Sequence, residues 1–293
     1  MLAWLIYFKE SAKYNQRYIE FYIEEGRKKG ITVRLLLAEE LEFGVRKGKW
    51  YLKSSTGEEL PHPDFVICRA IYPLLSRHLE AMGIRVFNNA FLSEICNDKA
   101  KTYQYLAKTG IQMVDTSFCK NALLKETMAR ISSPTVLKAV DGHGGSQVFL
   151  LDAHSTEEEK QRVYQGIGSS DVVLQPLVGR RHQDLRVYVI GKEIVAAVLR
   201  TAREGFKSNF SLGGEVRLYE LSEEERKLVQ LIIGQFEIGL VGIDFIIGDE
   251  GELIFNEIED VVGSRMLYQC SDINIVERYL SFILSQMKSV TNR

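Results

Sequence analysis

The chain has 293 residues, 45% of them hydrophobic and 26% charged, with five prolines and no low-complexity tract, enough for two or three subdomains around sizeable cores. A formal net charge of −2, with no basic arm or stripe, argues against a nucleic-acid-binding role. No apolar run reaches the ~20 residues of a membrane span, the opening MLAWLIYFKE is too short and too poor in basic residues for a secretory signal, and the four cysteines (Cys68, Cys96, Cys119, Cys270) form no CxxC pair, so a cytoplasmic protein with reduced thiols and no membrane partner is expected.

Residues 1–8 predict a strand, followed by a helix with Tyr14, Tyr18, Phe21 and Tyr22 on one stripe and Gly30 at its end. ITVRLLL (31–37) and DFVICRA (64–70) predict further strands, VRKGKWYLK (45–53) a small exposed hairpin, and RVFNN (85–89) follows a short helical stretch. Such alternation implies an α/β domain with a mostly parallel sheet. Ligands of such sheets sit at the carboxyl ends of the strands, which gives Arg69, Asn88 and Asn89 useful positions, although Arg69 also reads as an ordinary surface arginine.

A helix is predicted from near Asn97 to Gly110, with Ala100, Tyr103 and Leu106 facing inward. Lys99 falls in its first turn, where a cation opposes the macrodipole, so its placement makes sense if it reaches for an anion. Strands are then expected at 111–118, 134–140, 146–152 and 171–178. Asp-Gly-His-Gly-Gly (141–145) joins two of them, and Gly142, Gly144 and Gly145 allow the close backbone approach that phosphates favour, although many such loops are plain turns. Lys138 interrupts an apolar strand, so it either snorkels to an edge or meets a buried anion. Pro176 suits a crossover or hinge, Arg200 ends a strand, and 203–221 reads as a polar loop over a site. Ser222 to Glu225 is a capping box opening a helix that ends at Gly239, and residues 272–288 form an amphipathic tail helix.

Between these two helices, VGIDFIIGDEGELIFNEIEDVVG (241–263) predicts a β-hairpin about a Gly-Asp-Glu-Gly turn. Asp244 interrupts its first apolar run and Glu257 and Glu259 its second. Glu257 and Glu259 share a strand face, and folding brings Asp244 opposite Glu257. These acids are either a solvated edge or a site for a hard cation such as Mg²⁺ or Mn²⁺.

Taken in order, FNNAFLSEICNDKAKTYQYLAKTGI (87–111), VLKAVDGHGGSQV, QPLV with DLRVYVIG, AAVLRTAREGFKSNFSLGG (196–214) and GIDFII…FNEIEDVVG resemble the ATP-grasp superfamily, in its RimK-type branch of carboxylate–amine (glutamate) ligases, over about residues 85–290. The resemblance implies an α/β chain, α+β in its ATP-binding part. It would divide into an N-terminal Rossmann-like parallel-sheet subdomain (1–95), a central ATP-grasp subdomain (96–177) and a C-terminal ATP-grasp subdomain with the metal site (178–293).

It also implies roles. Lys99 and Lys138 would hold ATP phosphates under the loop of Gly142, Gly144 and Gly145. Gln175, Pro176, Leu177 and Val178 would form the hinge that meets adenine, Asp184 would lie near the ribose, and Lys207, Ser208 and Asn209 would contact nucleotide. Asp244, Glu257 and Glu259 would bind two Mg²⁺ or Mn²⁺ ions, and Arg200 would stand near the transferred phosphoryl group. Departures from the branch are Glu259 where Asn is usual, Gln147 for a glycine, Ser211-Leu212 for His-Arg, and Val262-Gly263 for Pro-Gly.

The implied reaction is Mg-dependent, ADP-forming amide or peptide bond formation through an acyl phosphate, between a carboxylate and an amine acceptor that is an amino acid, small molecule or peptide. The alternative is a non-catalytic ATP-binding regulatory protein that kept the fold, and self-association into a homo-oligomer stays open. No base that deprotonates the amine stands out, although His143 and His182 are available.

Overall fold

The computed structural model describes residues 1–179, 183–201 and 215–291. The apolar run LAWLIY becomes β1 (Leu2–Tyr7), buried on both faces as the interior strand of a parallel sheet must be. Helices α1 (Lys9–Tyr14) and α2 (Gln16–Lys28) follow, then β2 (Thr32–Leu37), the hairpin β3 (Leu41–Arg46) and β4 (Lys49–Ser54), β5 (Phe65–Cys68), α3 (Pro73–Ala81) and β6 (Val86–Phe87). The sheet order is β2-β1-β5-β6 and every pairing in it is parallel.

Helices α4 (Ala90–Cys96) and α5 (Lys99–Leu106) lead to a second, antiparallel sheet. It contains β7 (Ser117–Cys119), α6 (Leu124–Ala129), β8 (Thr135–Ala139), β9 (Val148–Leu151), α7 (Glu157–Ile167) and β10 (Val172–Pro176), in the strand order β7-β10-β8-β9. A third sheet, also antiparallel, runs β13-β12-β11-β14-β15. Its elements are β11 (Gln183–Ile190), β12 (Glu193–Thr201), β13 (Glu215–Tyr219), α8 (Glu223–Ile233), β14 (Leu240–Ile247) and β15 (Leu253–Glu259), followed by α9 (Arg265–Cys270) and α10 (Ile275–Thr291). Among the described residues no helix is long and apolar enough to cross a membrane.

The cores do not follow the sheets one for one. Leu92, Cys96, Tyr103 and Leu106 of α4 and α5 pack with Leu185, Val187, Phe245 and Phe255 of the third sheet. Tyr7, Tyr22 and Ile67 of the first sheet's layer share a core with Tyr188, Val262, Tyr279 and Ile283. The second sheet keeps a core of its own, from Cys119 through Leu137 and Ala139 to Val172. All four cysteines are free thiols, and burial pushes Cys68 up to about 11.

Four local expectations need correction. The first helix breaks at Asn15, whose side chain donates to Ser11 O at 2.8 Å, a local bond that competes with helix continuation. Most of 111–118 is a connector, held by an isolated bridge between Met113 and Phe255, and strand begins only at Ser117. Residues 215–219, expected as loop, pair with β12 as an edge strand. Helix α8 stops at Ile233, so Gly239 does not cap it. Gly239 is instead a point of close approach, where a Cβ would lie 2.5 Å from Asn88 Oδ1 and 2.7 Å from Tyr279 Oη.

That approach lets one carboxamide join the first and third sheets. Asn88 Oδ1 accepts from Gly239 N (2.8 Å) and Leu240 N (2.9 Å), while its Nδ2 donates to Leu240 O (2.8 Å) and to Asp260 Oδ1 (2.6 Å). Asp260 Oδ2 in turn accepts from Asn97 Nδ2 at 2.9 Å. Removing the carboxamide orphans several buried groups at once. Asn88→Ala should therefore cost on the order of 3 kcal/mol in urea unfolding, and a loss below about 0.5 kcal/mol would refute this linking role.

Candidate functional site

Alternation in the third sheet, interrupted by an extra residue at Asn256 in β15, produces two unlike faces. Leu185, Val187, Leu199, Ile243 and Phe245 face the core with α4, α5 and α8, while Asp184, Arg186, Arg200, Asp244, Glu257 and Glu259 occupy the other face. Register then decides which charges meet. Asp244 pairs across the strands with Arg186 on one side and Glu257 on the other, and Asp184 pairs with Arg200. The expected opposition of Asp244 and Glu257 is therefore present, next to a register shift between Asp244 and Phe245.

Asp244 is 1% exposed. Its Oδ1 accepts from Arg186 Nε at 2.7 Å, and its Oδ2 accepts from Arg186 Nη2 at 2.6 Å and Arg200 Nη2 at 2.8 Å. Burial alone would raise this carboxyl, but the two guanidiniums outweigh it and hold it at about 2. Arg186 also reaches Glu259 Oε1 at 2.6 Å, and Arg200 donates to Asp184. Burial, opposed by Arg186 and reinforced by Asp244 and Glu257, raises Glu259. For Glu257, burial is outweighed chiefly by Lys99, whose Nζ lies 3.3 Å away, so its carboxyl is lowered.

One oxygen from each of Asp244, Glu257 and Glu259 lies within 4.8 Å of the others. Three hard oxygen donors so close fit a small divalent cation in chemistry and spacing. Asp244 already has both oxygens in charged hydrogen bonds, so the side chains with open surface are Glu257 and Glu259, 28% and 29% exposed.

Glu257 and Glu259 form one wall of a cavity of about 370 Å³, whose lining does not include Asp244 or Arg200. Lys99, Lys138, Gly142, Gly144, Gly145, Gln175, Pro176, Leu177, Val178 and Asp184 line it too, so these sequence-derived candidates share one space. Lys99 stands at N1 of α5, behind the N-cap Asp98, and its Nζ also donates to Gly142 O at 2.5 Å, tying helix start to glycine loop. Lys138 Nζ donates to Asn256 Oδ1 at 2.7 Å, and burial pulls the amine down to about 8 despite Glu257. Gly144 and Gly145 adopt φ of 64° and 75°, a left-handed path that side chains resist. Gln175 is buried with its Nε2 donating to Thr116 Oγ1 at 2.8 Å, and Leu177 N donates to Pro134 O at 3.1 Å. His143 lines the same cavity, lowered by burial and by Lys99. Lys207, Ser208, Asn209 and His182 lie outside the described residues.

Two contributors escape motif reading. Arg186 sits two residues after Asp184 in an apolar strand, and that spacing was the available signal. Asn256 precedes Glu257 and faces Lys138 across a sequence gap that no local pattern bridges.

Comparison with known proteins places this geometry. Residues 96–283 match the family model described as RimK-like ATP-grasp domain. The protein named "Probable alpha-L-glutamate ligase" of Legionella pneumophila is 28% identical over 245 residues, covering 80% of this chain and 81% of its own. The RimK-domain ATP-grasp protein of Sphaerobacter thermophilus superposes with a TM-score of 0.72 at 17% identity, over 96% of this chain and 99% of its own. The ATP-grasp ligase PsnB, solved with a phosphomimetic variant of its minimal precursor, Mg and ADP, gives 0.69 at 16% identity over 97% and 98%. This chain belongs to the RimK-like ATP-grasp family and is an ATP-grasp ligase, with the fold expected from its sequence.

Arg186 neutralises the buried Asp244 and the part-exposed Glu259, so Arg186→Met should destabilise the protein by about 3–5 kcal/mol in urea unfolding. Millimolar Mg²⁺ should restore more stability to this variant than to wild type, because it relieves the same carboxylate repulsion. Equal Mg²⁺ responses in the two proteins would count against a metal role for Asp244 and Glu259.

Proposed function

We propose that this RimK-like ATP-grasp ligase joins a carboxylate to an amine in an ATP- and Mg²⁺-dependent, ADP-forming reaction through an acyl phosphate. The observation that carries this reading is the convergence of two lysines, a glycine loop and the carboxylates of Glu257 and Glu259 on one cavity, with Asp244 clustered against those two acids. A carboxylate is a poor acyl donor because its oxygen leaves badly. Transfer of the γ-phosphoryl group of ATP to that oxygen makes phosphate the leaving group, and attack by the amine on the acyl carbon then gives the amide and inorganic phosphate. Little covalent chemistry falls to the protein in such a reaction, so positioning and electrostatics dominate.

Lys99 and Lys138 contact the phosphates, with Gly142, Gly144 and Gly145 folded over them. Gln175 to Val178 meet the adenine and Asp184 the ribose, with Lys207, Ser208 and Asn209 contributing from outside the described residues. Asp244, Glu257 and Glu259 hold the divalent cations, two in number, Mg²⁺ or Mn²⁺. When bound, the cations neutralise and align phosphate oxygens. Arg200, oriented by Asp184 and Asp244, stabilises charge on the acyl phosphate and the tetrahedral intermediate, a donor worth about 2.7–4 kcal/mol in comparable sites. Under this reading residues 1–95, 96–177 and 178–293 act as three subdomains about the cleft. The amine acceptor is an amino acid, small molecule or peptide, in keeping with the glutamate-ligase name of the Legionella relative and the precursor bound to PsnB.

Calorimetry of MgATP on wild type and Glu257→Ala tests the assignment. Micromolar, Mg²⁺-dependent binding should weaken at least about tenfold in the variant, the usual scale for losing a charge-assisted contact. Equal affinities would detach Glu257 from the metal, and no binding by folded wild type would leave only a non-catalytic role.

A further inference from the structure

The parallel sheet reverses direction of growth between β1 and β5. From β1 the chain moves out to β2, then returns past β1 to β5 and β6. In open α/β sheets the crevice beyond the strand carboxyl ends at such a switch point is where ligands sit. Tyr7 is the last residue of β1, and Arg69 follows the last residue of β5, its N donating to Ile6 O at 2.8 Å. The two side chains straddle the switch point.

Contrary to a surface reading, Arg69 is 8% exposed. Its Nη2 donates to Val262 O at 2.8 Å, and its guanidinium carbon lies 5.0 Å and 5.9 Å from the ring centres of Tyr18 and Tyr7. Its strongest electrostatic neighbours are tyrosines: Tyr7, Tyr22, Tyr18 and Tyr279. No carboxylate among the described residues forms a salt bridge with it. Arg69 Nε and Tyr22 Oη are buried without a hydrogen-bond partner, and Tyr7 Oη has no partner beyond the Arg69 guanidinium beside it. Burial raises both tyrosine hydroxyls, which keeps them protonated as donors. A buried cation without a counter-anion is costly, and buried donors without acceptors add to that cost. What one cation and the hydroxyls beside it lack in common is an anion.

The position relates this cluster to the cleft. Ile71, two residues beyond Arg69, and Val261, next to the carbonyl that Arg69 holds, both line the cavity that contains Glu257 and Glu259. We propose that Arg69, Tyr7 and Tyr22 form a carboxylate-recognition site at the β1/β5 switch point, which holds the non-reacting carboxylate of an amino-acid-sized substrate and orients its reacting group toward the acidic cleft. The inference rests on the ligase reading and adds to it the substrate class and the anchoring residues. With Nη2 committed to Val262, the guanidinium offers one edge, which suits a planar monoanion. A phosphate dianion would bring a second charge with no second cation to meet it.

The test titrates wild type, Arg69→Met and the double variant Tyr7→Phe/Tyr22→Phe with sodium acetate, sodium L-glutamate and inorganic phosphate. Thermal stability is followed at constant ionic strength, with and without MgADP. Wild type should show saturable stabilisation by a carboxylate over matched chloride. Arg69→Met should lose it, and the double variant should bind at least about tenfold more weakly. The tyrosine variant separates binding from structure: hydroxyls that only pack would leave carboxylate affinity unchanged when deleted, whereas hydroxyls that donate to the anion should lower that affinity while ligand-free melting stays unchanged or rises. No saturable carboxylate response in wild type, the same response in Arg69→Met, unaltered affinity in the tyrosine variant, or stronger binding of phosphate would each overturn the proposal. MgADP affinity is read separately in each protein, so a failure of the nucleotide reading shows there and not in the nucleotide-free carboxylate titrations.

Discussion

Asp244 can remain an anion at 1% exposure only because two guanidiniums surround it, and much of the molecule is arranged to bring them there. Arg186 comes from the strand beside it, and Arg200 from one strand further, reaching past Asp184. A one-residue slip of β11 against β14 would turn Arg186 into the apolar core and leave Asp244 buried without its main partner. The charge knot thus enforces the register of the sheet as well as the electrostatics of the cleft. It also makes the acidic side of the cavity less negative than three carboxylates would suggest, since Arg186 serves Asp244 and Glu259 together.

The same economy holds where the sheets meet. Asn88, Asp260 and Asn97 form one hydrogen-bonded chain that connects the end of the parallel sheet, the turn following the acidic strand and the turn before Lys99. Lys99 and Glu257 therefore face each other across elements already fastened together two and three residues away. The cation and the carboxylate need little further ordering to meet, which lowers the entropic cost of organising the cleft.

Legibility from sequence followed the range of the interaction. The acidic hairpin was readable because a turn and a two-residue period are local, and Asp244 does pair with Glu257. Lys99 was readable because a cation in a first turn violates a local preference, and the ordered set of motifs pointed to the right family. Arg186 was not, since a charged residue in a strand acquires meaning only when the facing residue is known. Gly239 looked like a helix end, yet its reason is Asn88, 151 positions away. Arg69 was placed at a strand's carboxyl end from the pattern, but its burial depends on Val262 and on the tyrosines of α2, which no local window contains.

The second sheet's isolation has a kinetic meaning. Its buried core draws on residues from Cys119 to Val172 alone, whereas two other clusters cross between parts of the chain and a third stays within residues 4–86 of the parallel-sheet layer. A layer with a private core can tilt, or even melt, without disturbing the rest, so it constitutes its own cooperative unit. Because that unit carries Lys138 and the glycine loop, its opening frequency sets an upper bound on how fast anything enclosed beneath them can leave. Under the ligase reading, a sequence change deep in that layer would alter how long a bound nucleotide stays without touching the cleft.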